Sequence, residues 1–317
     1  MPNHFPSNGA ASYNSVDSAL WFILVAHIFR VECVRRGRWL EPVTARRLTD
    51  ATQDILEWYA RGTRHGIRMD HDALLASGVP GAAVALTWMD AIVDGVPVTP
   101  RNGKAVEVQA LWINALSIGA SWSERWGELA DQARAQFGAR FWNDTRGCLY
   151  DVIDVDHVDG IVDARLRPNQ IFAVGGLLLP LIEEERARSV VDVVERELWT
   201  PMGLRTLSVS EQGYVAACVG TPDCRDRAYH NGAAWPWLMG AFVDAWIRVR
   251  AQAGQRTDVV RMEARRKLLR GLARHLDEAG IGHVSEIADG EAPWTPRGCP
   301  FQAWSLGELL RVMEGEG

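Results

Sequence analysis

Cysteine is scarce and follows no pairing pattern: Cys33, Cys148, Cys218, Cys224 and Cys299 form no CxxC pair. That spacing argues against a zinc site or a redox motif, and an odd, scattered set fits free thiols in a reducing cytoplasm. Positive charge is not in excess either. Lys and Arg number 34 against 40 Asp and Glu, a net charge of −6, so no basic field exists to hold a polyanion and nucleic acid is not an expected partner. No basic and apolar leader opens the chain, so no secretory signal is visible. The longest apolar stretch, within residues 18–28, is interrupted by His27 and is too short to span a bilayer. GxSxG, GxGxxG and GxxxxGK are all missing, which removes the Ser-hydrolase and phosphate-cradle readings. The acidic run Asp151, Asp154, Asp156 and Asp159 lacks the glycine and the terminal glutamate of a calcium loop. The expectation is a cytoplasmic protein with no metal, no cofactor and no membrane contact.

Tryptophan is what the chain has in quantity, with 14 copies where Leu and Phe would fill a core as well. Indoles in loops and at helix starts (Trp88, Trp122, Trp235, Trp237, Trp294) suggest a lined groove, since an indole offers a flat apolar face with a polar edge. Core filling is the plainer alternative and accounts for some of them. At 317 residues and 47% apolar content, the chain can bury a sizeable core.

Residues 86–116 organise the rest. Trp88 stands beside Asp90 in a stretch punctuated by Gly95, Pro97 and Pro100, which makes it a loop. Arg101 follows, and a helix opening near Lys104 carries Glu107, Trp112 and Asn114. An acid beside an indole on a loop, feeding a helix with polar groups, is one way to build a sugar site. The plainer alternative makes Trp88 core and Asp90 a solvated turn acid.

Apolar periodicity predicts helices over residues 16–31, 43–59, 105–119, 123–141, 171–181, 185–198, 229–251, 257–279 and 301–313, with a strand-like piece at 147–154. Residues 62–102 form a loop region too long for a simple connection. Helices joined alternately by short turns and long Gly/Pro/Trp/acid-rich loops predict an all-α fold, an α/α toroid with its site at the loop mouth. An α-solenoid would show regular repeats, and none is clear. Three loops combine acids, aromatics and Arg: Trp88, Asp90 and Arg101; then Arg225, Asp226, His230 and Trp235; then Glu286, Asp289, Glu291, Trp294 and Arg297. Glycoside hydrolysis needs two carboxyl groups, which separate loops can supply.

Six stretches carry a family resemblance: PNHFPSNGAASYNSVDSALWF, LTWMDAIVDGVPVTPRNGKAVEVQALWINAL, RPNQIFAV, TPMGLRTLS, RDRAYHNGAAWPWLMGAFVDA and SEIADGEAPWTPRGCPFQAWSLGELL. In this order they resemble the glucosidase domain of glycogen debranching enzymes, the amylo-α-1,6-glucosidase type, across essentially the whole chain. The resemblance implies a single domain over 1–317 with an (α/α)6 toroid fold, incomplete at about nine of its twelve helices. In the family further helices precede the PNHFP-like stretch; here they would lie on another polypeptide, precede a misassigned start, or be lost in a remnant. Faces bordering such a gap would be those of Leu20, Ile23, Leu24 and Ile28 on the first helix and Trp304, Leu306 and Leu309 on the last. The implied function is hydrolysis of α-1,6-linked glucose at glycogen branch points, of the inverting kind, without cofactor or metal. Asp90 is the implied general acid; Glu286 is the first choice for the base and Asp289 the second. Trp88, Arg101, Glu107, Trp112, Asn169, Gln170, Arg205, Tyr229, His230, Trp235 and Trp294 are the implied sugar-contacting positions, with loop-bracing as the alternative for Asn169, Gln170, Arg205, Tyr229, His230 and Trp235. Expected partners are glycogen or a branched α-glucan, and a polypeptide supplying the missing N-terminal helices. A glycan-binding protein without turnover, or a fragment needing such a partner, stays open.

Overall fold

A computed structural model of the protein describes residues 2, 5, 9–251 and 256–314. The front of the first quoted stretch, at residues 3, 4 and 6–8, lies outside the described residues. The chain is mainly helical, with ten α-helices among the described residues, and it partitions into two compact units. No helix among them is long and apolar enough to cross a membrane. All five cysteines are free, Cys148 and Cys218 buried and Cys224 and Cys299 exposed.

The first unit comprises Met1–Asp90, Gly95–Phe141 and Val152–Asp163. Its helices are α1 (Asp17–Arg35), α2 (Pro42–Arg61), α3 (Val106–Gly119) and α4 (Glu124–Arg140). Helix α3 is the centre: α1, α2 and α4 all pack on it, and every residue but Ser117 is buried. Such a helix must be apolar all round or satisfy each polar group within the protein. Val106, Val108, Leu111, Ile113 and Leu116 do the first, at about 1.5–3 kcal/mol for each fully buried large aliphatic side chain. Gln109 does the second, accepting the Leu75 N–H at 2.7 Å and donating to the Leu75 carbonyl at 2.8 Å. Just ahead of α1, Ser15 accepts the Ser18 N–H at 3.0 Å and so satisfies one of the free donors at the helix start. A small antiparallel sheet pairs Lys104–Ala105 with Val152–Ile153, and that strand with Val162–Asp163.

The second unit comprises Ala91–Asp94, Trp142–Asp151 and Ala164–Gly317. It holds α5 (Glu184–Glu197), α6 (Pro222–Tyr229), α7 (Met239–Ala251), α8 (Thr257–Leu268), α9 (Arg270–Glu278) and α10 (Ala303–Glu314). Helix α7 packs against α5, α8 and α10. A five-stranded antiparallel sheet runs in chain order through Trp199–Thr200, Gly203–Arg205, Ala234–Trp235, Ile287–Ala288 and Pro296–Arg297.

The structure corrects several expectations. The fold is not purely α, because short antiparallel strands organise the loops of each unit. Residues 171–181 form no α-helix; a 3-10 turn over Pro168–Ala173 leads into irregular chain. Gly175 and Gly176 explain it: a Cβ at Gly175 would lie 2.4 Å from the Ala245 N, and one at Gly176 (φ +78°) 2.5 Å from the Ala241 Cβ. The chain here yields to the close approach of α7 instead of winding. The stretch 229–251 is likewise broken, because the strand Ala234–Trp235 and Pro236 intervene before α7 begins. Arg225 and Asp226 lie on α6, whose start is capped by Thr221 accepting the Cys224 N–H. The helix expected over 257–279 is two, parted at Leu269. Of the apolar faces named above, Leu20, Ile23, Leu24 and Leu309 are buried, whereas Ile28 and Trp304 are exposed.

Candidate active site

In the first unit the segment carrying Trp88 and Asp90 is pinned from several sides. The Val16 N–H donates to the Leu86 carbonyl at 2.7 Å, and the Trp88 N–H donates to Asp17 Oδ2 at 2.7 Å. Thr99 Oγ1 donates to the Met89 carbonyl at 3.1 Å. Arg101 reaches Thr87 Oγ1 at 3.3 Å and forks onto Glu107, with Nη2 at 2.6 Å from Oε2. A small cleft of about 10 Å³, room for little more than a water, is walled by residues 84–87, Met89 and 99–102. Trp88 is half-buried and Asp90 is exposed at the end of the pinned segment.

Glu107, Arg101 and Trp112 belong beneath this loop and not on its surface. Glu107 and Arg101 are buried as a mutual pair. Trp112 is 0% exposed, donates to the Ala73 carbonyl at 2.9 Å and lies 6.3 Å from the Tyr59 ring. Its expected sugar contact is therefore corrected: this indole is core, where its face is covered by protein. Asp17 escaped the sequence reading. It is 7% exposed, and burial pushes its carboxyl from 3.8 up to about 6, against the lowering effect of the Ser15 hydroxyl and with Glu107 adding to the rise.

In the second unit Asn169 and Gln170 sit in the 3-10 turn, both buried. Asn169 donates to Asp151 Oδ1 at 2.8 Å; Gln170 accepts the Leu149 N–H at 3.1 Å and donates to the Arg167 carbonyl at 3.0 Å. Arg167, also missed, is fully buried and donates to the Thr206 and His230 carbonyls at 2.9 and 2.6 Å. Asn169 and Gln170 thus brace loops against one another, the alternative that the sequence left open for them, and Arg167 does the same. Tyr229, His230 and Trp235 come together as one cluster: His230 stacks on Trp235 at 5.3 Å and 11°, and Tyr229 meets both edge-on at 4.8 Å. His230 and Trp235 are buried, so the half-buried Tyr229 is the cluster's accessible member.

Asp289, Arg297 and Arg205 gather at the end of the five-stranded sheet. Arg297 grips Asp289 through two nitrogens, the Cys218 N–H adds a third donor at 3.0 Å, and Arg205 Nε donates to the Gly290 carbonyl at 2.7 Å. Glu286, half-buried, accepts the Cys299 N–H at 2.9 Å and the Gln302 amide at 3.4 Å. Trp294 is half-buried in left-handed backbone (φ 54°), a conformation that a bulky residue seldom adopts. Among the described residues, no three His, Cys, Asp or Glu side chains are grouped as a metal site.

Each unit, taken by itself, carries carboxylates, guanidinium groups and indoles on its loops, and these are side-chain types that a carbohydrate site uses. The chain belongs to the amylo-alpha-1,6-glucosidase family, which it matches over residues 1–311. It is similar to the glycogen debranching enzyme of Saccharomyces cerevisiae, at 25% identity over 279 residues. That match covers 71% of this chain and 18% of the yeast enzyme, so the chain spans a small part of that relative's length. Solved structures with some likeness include an uncharacterised conserved protein from Thermus thermophilus, at 14% identity and a TM-score of 0.46, covering 67% of this chain and 46% of that one. A GH63 mannosylglycerate hydrolase from the same organism, in complex with glucose, gives 15% identity and a TM-score of 0.46, with 67% and 45% covered.

Proposed function

We propose that the chain carries the glucosidase chemistry of a cytoplasmic debranching-type enzyme, releasing α-1,6-linked glucose from glycogen or a similar branched α-glucan, on an (α/α)6 toroid scaffold. Family membership supplies the reaction class, and the observation that carries the residue assignment is the pinned loop ending in the exposed Asp90. In this reading Asp90 protonates the glycosidic oxygen as the bond to the leaving sugar breaks, and Trp88 offers its indole to a sugar face. A second carboxylate removes a proton from the attacking water.

Glu286 suits that second role better than Asp289. Three donors, two of them from one guanidinium, already engage the buried Asp289 carboxylate. Glu286 is half-buried and, among the described residues, holds neutral donors, Cys299 N–H and the longer Gln302 contact, which leaves lone pairs for a water. Tyr229 and Trp294, half-buried aromatics, serve as sugar-facing surfaces, and the backbone of Trp294 supports the reading because strained positions cluster at functional sites. Arg205 holds the Gly290 turn that follows Asp289.

The test is the anomer released from a branched α-glucan, followed by proton NMR from the first turnover. An acid–base pair about 6.5–9.5 Å apart with a water between inverts the configuration, so β-glucose appears first. Release of α-glucose first would mean a nucleophile in place of the base. Binding of the glucan with no release would make the chain a glycan-binding protein.

A further inference from the structure

We propose that Asp17 is a positioning residue for the acid loop: its carboxylate fastens the Trp88 main chain to the start of α1 and so fixes where Asp90 stands. This deepens the reading of Asp90 as the acid and rests on it. Asp17 and Trp88 are 71 positions apart, yet Oδ2 receives the Trp88 N–H at 2.7 Å. Just before each of them in the chain, the Val16 N–H reaches the Leu86 carbonyl at 2.7 Å, so the two contacts bracket Thr87. The anchor is itself held. The Tyr59 hydroxyl, from α2, donates to the Val16 carbonyl at 3.0 Å. Ser15 Oγ donates to Asp17 Oδ1 at 2.6 Å while accepting the Ser18 N–H, which fixes the carboxylate's rotation.

From Trp88 to Asp90 the chain can span at most about 7 Å, so a shift of the clamp is passed to the acid with little slack. Asp17 cannot be the acid itself, since it is 7% exposed and both of its oxygens are taken by protein donors. The surroundings do not favour an anion here. Glu107 faces it from α3, with its charge balanced by Arg101, and Tyr59 faces it from α2. A carboxylate kept in such a place gives a stronger, charge-assisted grip on an N–H than a neutral acceptor can.

The experiment compares Asp17→Ala, Asp17→Asn and Asp90→Asn by hydrogen exchange at the Trp88 amide and by steady-state kinetics on a branched α-glucan. Asp17→Ala should speed Trp88 exchange at least about tenfold and lower kcat by about 10–100-fold with KM nearly unchanged, the mark of a misplaced but intact group. Asp17→Asn keeps a neutral acceptor and should restore slow exchange and most of kcat. Asp90→Asn should remove turnover while Trp88 exchange stays slow. Normal exchange in Asp17→Ala, or fast exchange with normal kcat, overturns the clamp and leaves Asp90 untouched. Normal turnover in Asp90→Asn sinks the acid reading instead, and the exchange measurement still decides whether Asp17 holds the loop. Should Asp17→Ala fail to fold, Ser15→Ala frees Oδ1 and the Ser18 N–H but leaves the Trp88 contact in place, and should move exchange and kcat in the same directions by less; no change in either overturns the clamp.

Discussion

Arg297 and Asp289 face each other diagonally across neighbouring strands: Nη2 lies 3.0 Å from Oδ2 and Nε 3.2 Å from Oδ1, while the register partner of Arg297 is Ile287. A buried carboxylate gripped in this way has the marks of a structural ion. The grip separates the two candidate bases by experiment.

Asp289→Asn should lower stability by about 1–3 kcal/mol, the worth of hydrogen bonds to a charged group, and should leave turnover within about tenfold. Glu286→Gln should do the reverse, melting near the wild-type temperature but losing about 10²–10⁴-fold in kcat. Urea melts beside glucose-release assays read both. The opposite pattern would make Asp289 the base.

Asp90→Asn should cost about 10²–10⁴-fold in kcat, the usual contribution of a general acid. Because Asp90 is exposed at the end of its segment, its melting temperature should stay within about 2 °C of wild type, as for surface substitutions away from packed features. Near-normal turnover would take Asp90 out of the mechanism.

Asp17 makes stability depend on pH. Its folded pKa of about 6 lies above the ordinary 3.8, so the folded chain holds this proton more tightly than the unfolded one. Below pH 4 both states carry it and nothing is lost; as pH rises through 4 to 6 the folded state is penalised, by up to about 3 kcal/mol. Asp17→Asn should therefore raise stability at pH 7.5, and the gain should vanish below pH 4. Thermal melts across that range check it.

Lys104 gives the opposite dependence. Its ammonium is 1% exposed and touches Asp70, Asp72 and Asp154 at 3.2, 2.7 and 2.9 Å, with Arg140 closing the group from α4. Burial alone would raise the Asp70 and Asp154 carboxyls, but the His71 N–H and Lys104 bring Asp70 down to about 2, and Lys104 with Arg140 hold Asp154 below its ordinary value. Their contribution is complete above pH 4 and is lost as pH falls from about 4 towards 2. Lys104→Met should cost about 3–5 kcal/mol at pH 7, because it removes the buried ammonium that three carboxylates share and leaves Asp72 and Asp154 with Arg140 as their partner in the group. Circular dichroism of the variant should show part of that loss recovered near pH 4.

What the sequence made legible follows from the range of the forces involved. Helices α2, α4 and α5 lie within about two residues of their predicted ends, since a stripe of apolar positions is a local signal. Gly175 and Gly176 carry no local sign that α7 will press against them. The strand pairs, two or three residues long, are too short to show a period, and Leu204 finds Trp235 only through the fold. Trp88 and Asp90 stood out by loop chemistry. Asp17 did not, because at a helix start it looks like an ordinary first-turn acid and its partner is 71 positions away. Trp112 shows the converse error, since residue type cannot say which face of a central helix meets solvent.

The five-stranded sheet is laid down in the order of the chain, and that order is also a schedule. Strand Ala234–Trp235 meets Ile287–Ala288 only after α7, α8 and α9 have been looped out between them. Closing a loop of that length is slow compared with forming the helices inside it. Until it closes, the Ala234–Trp235 edge stands unpaired, a template for wrong partners on a nascent or refolding chain. Glu286 and Asp289 flank the strand that ends this interval, so the placing of both carboxylates depends on that closure.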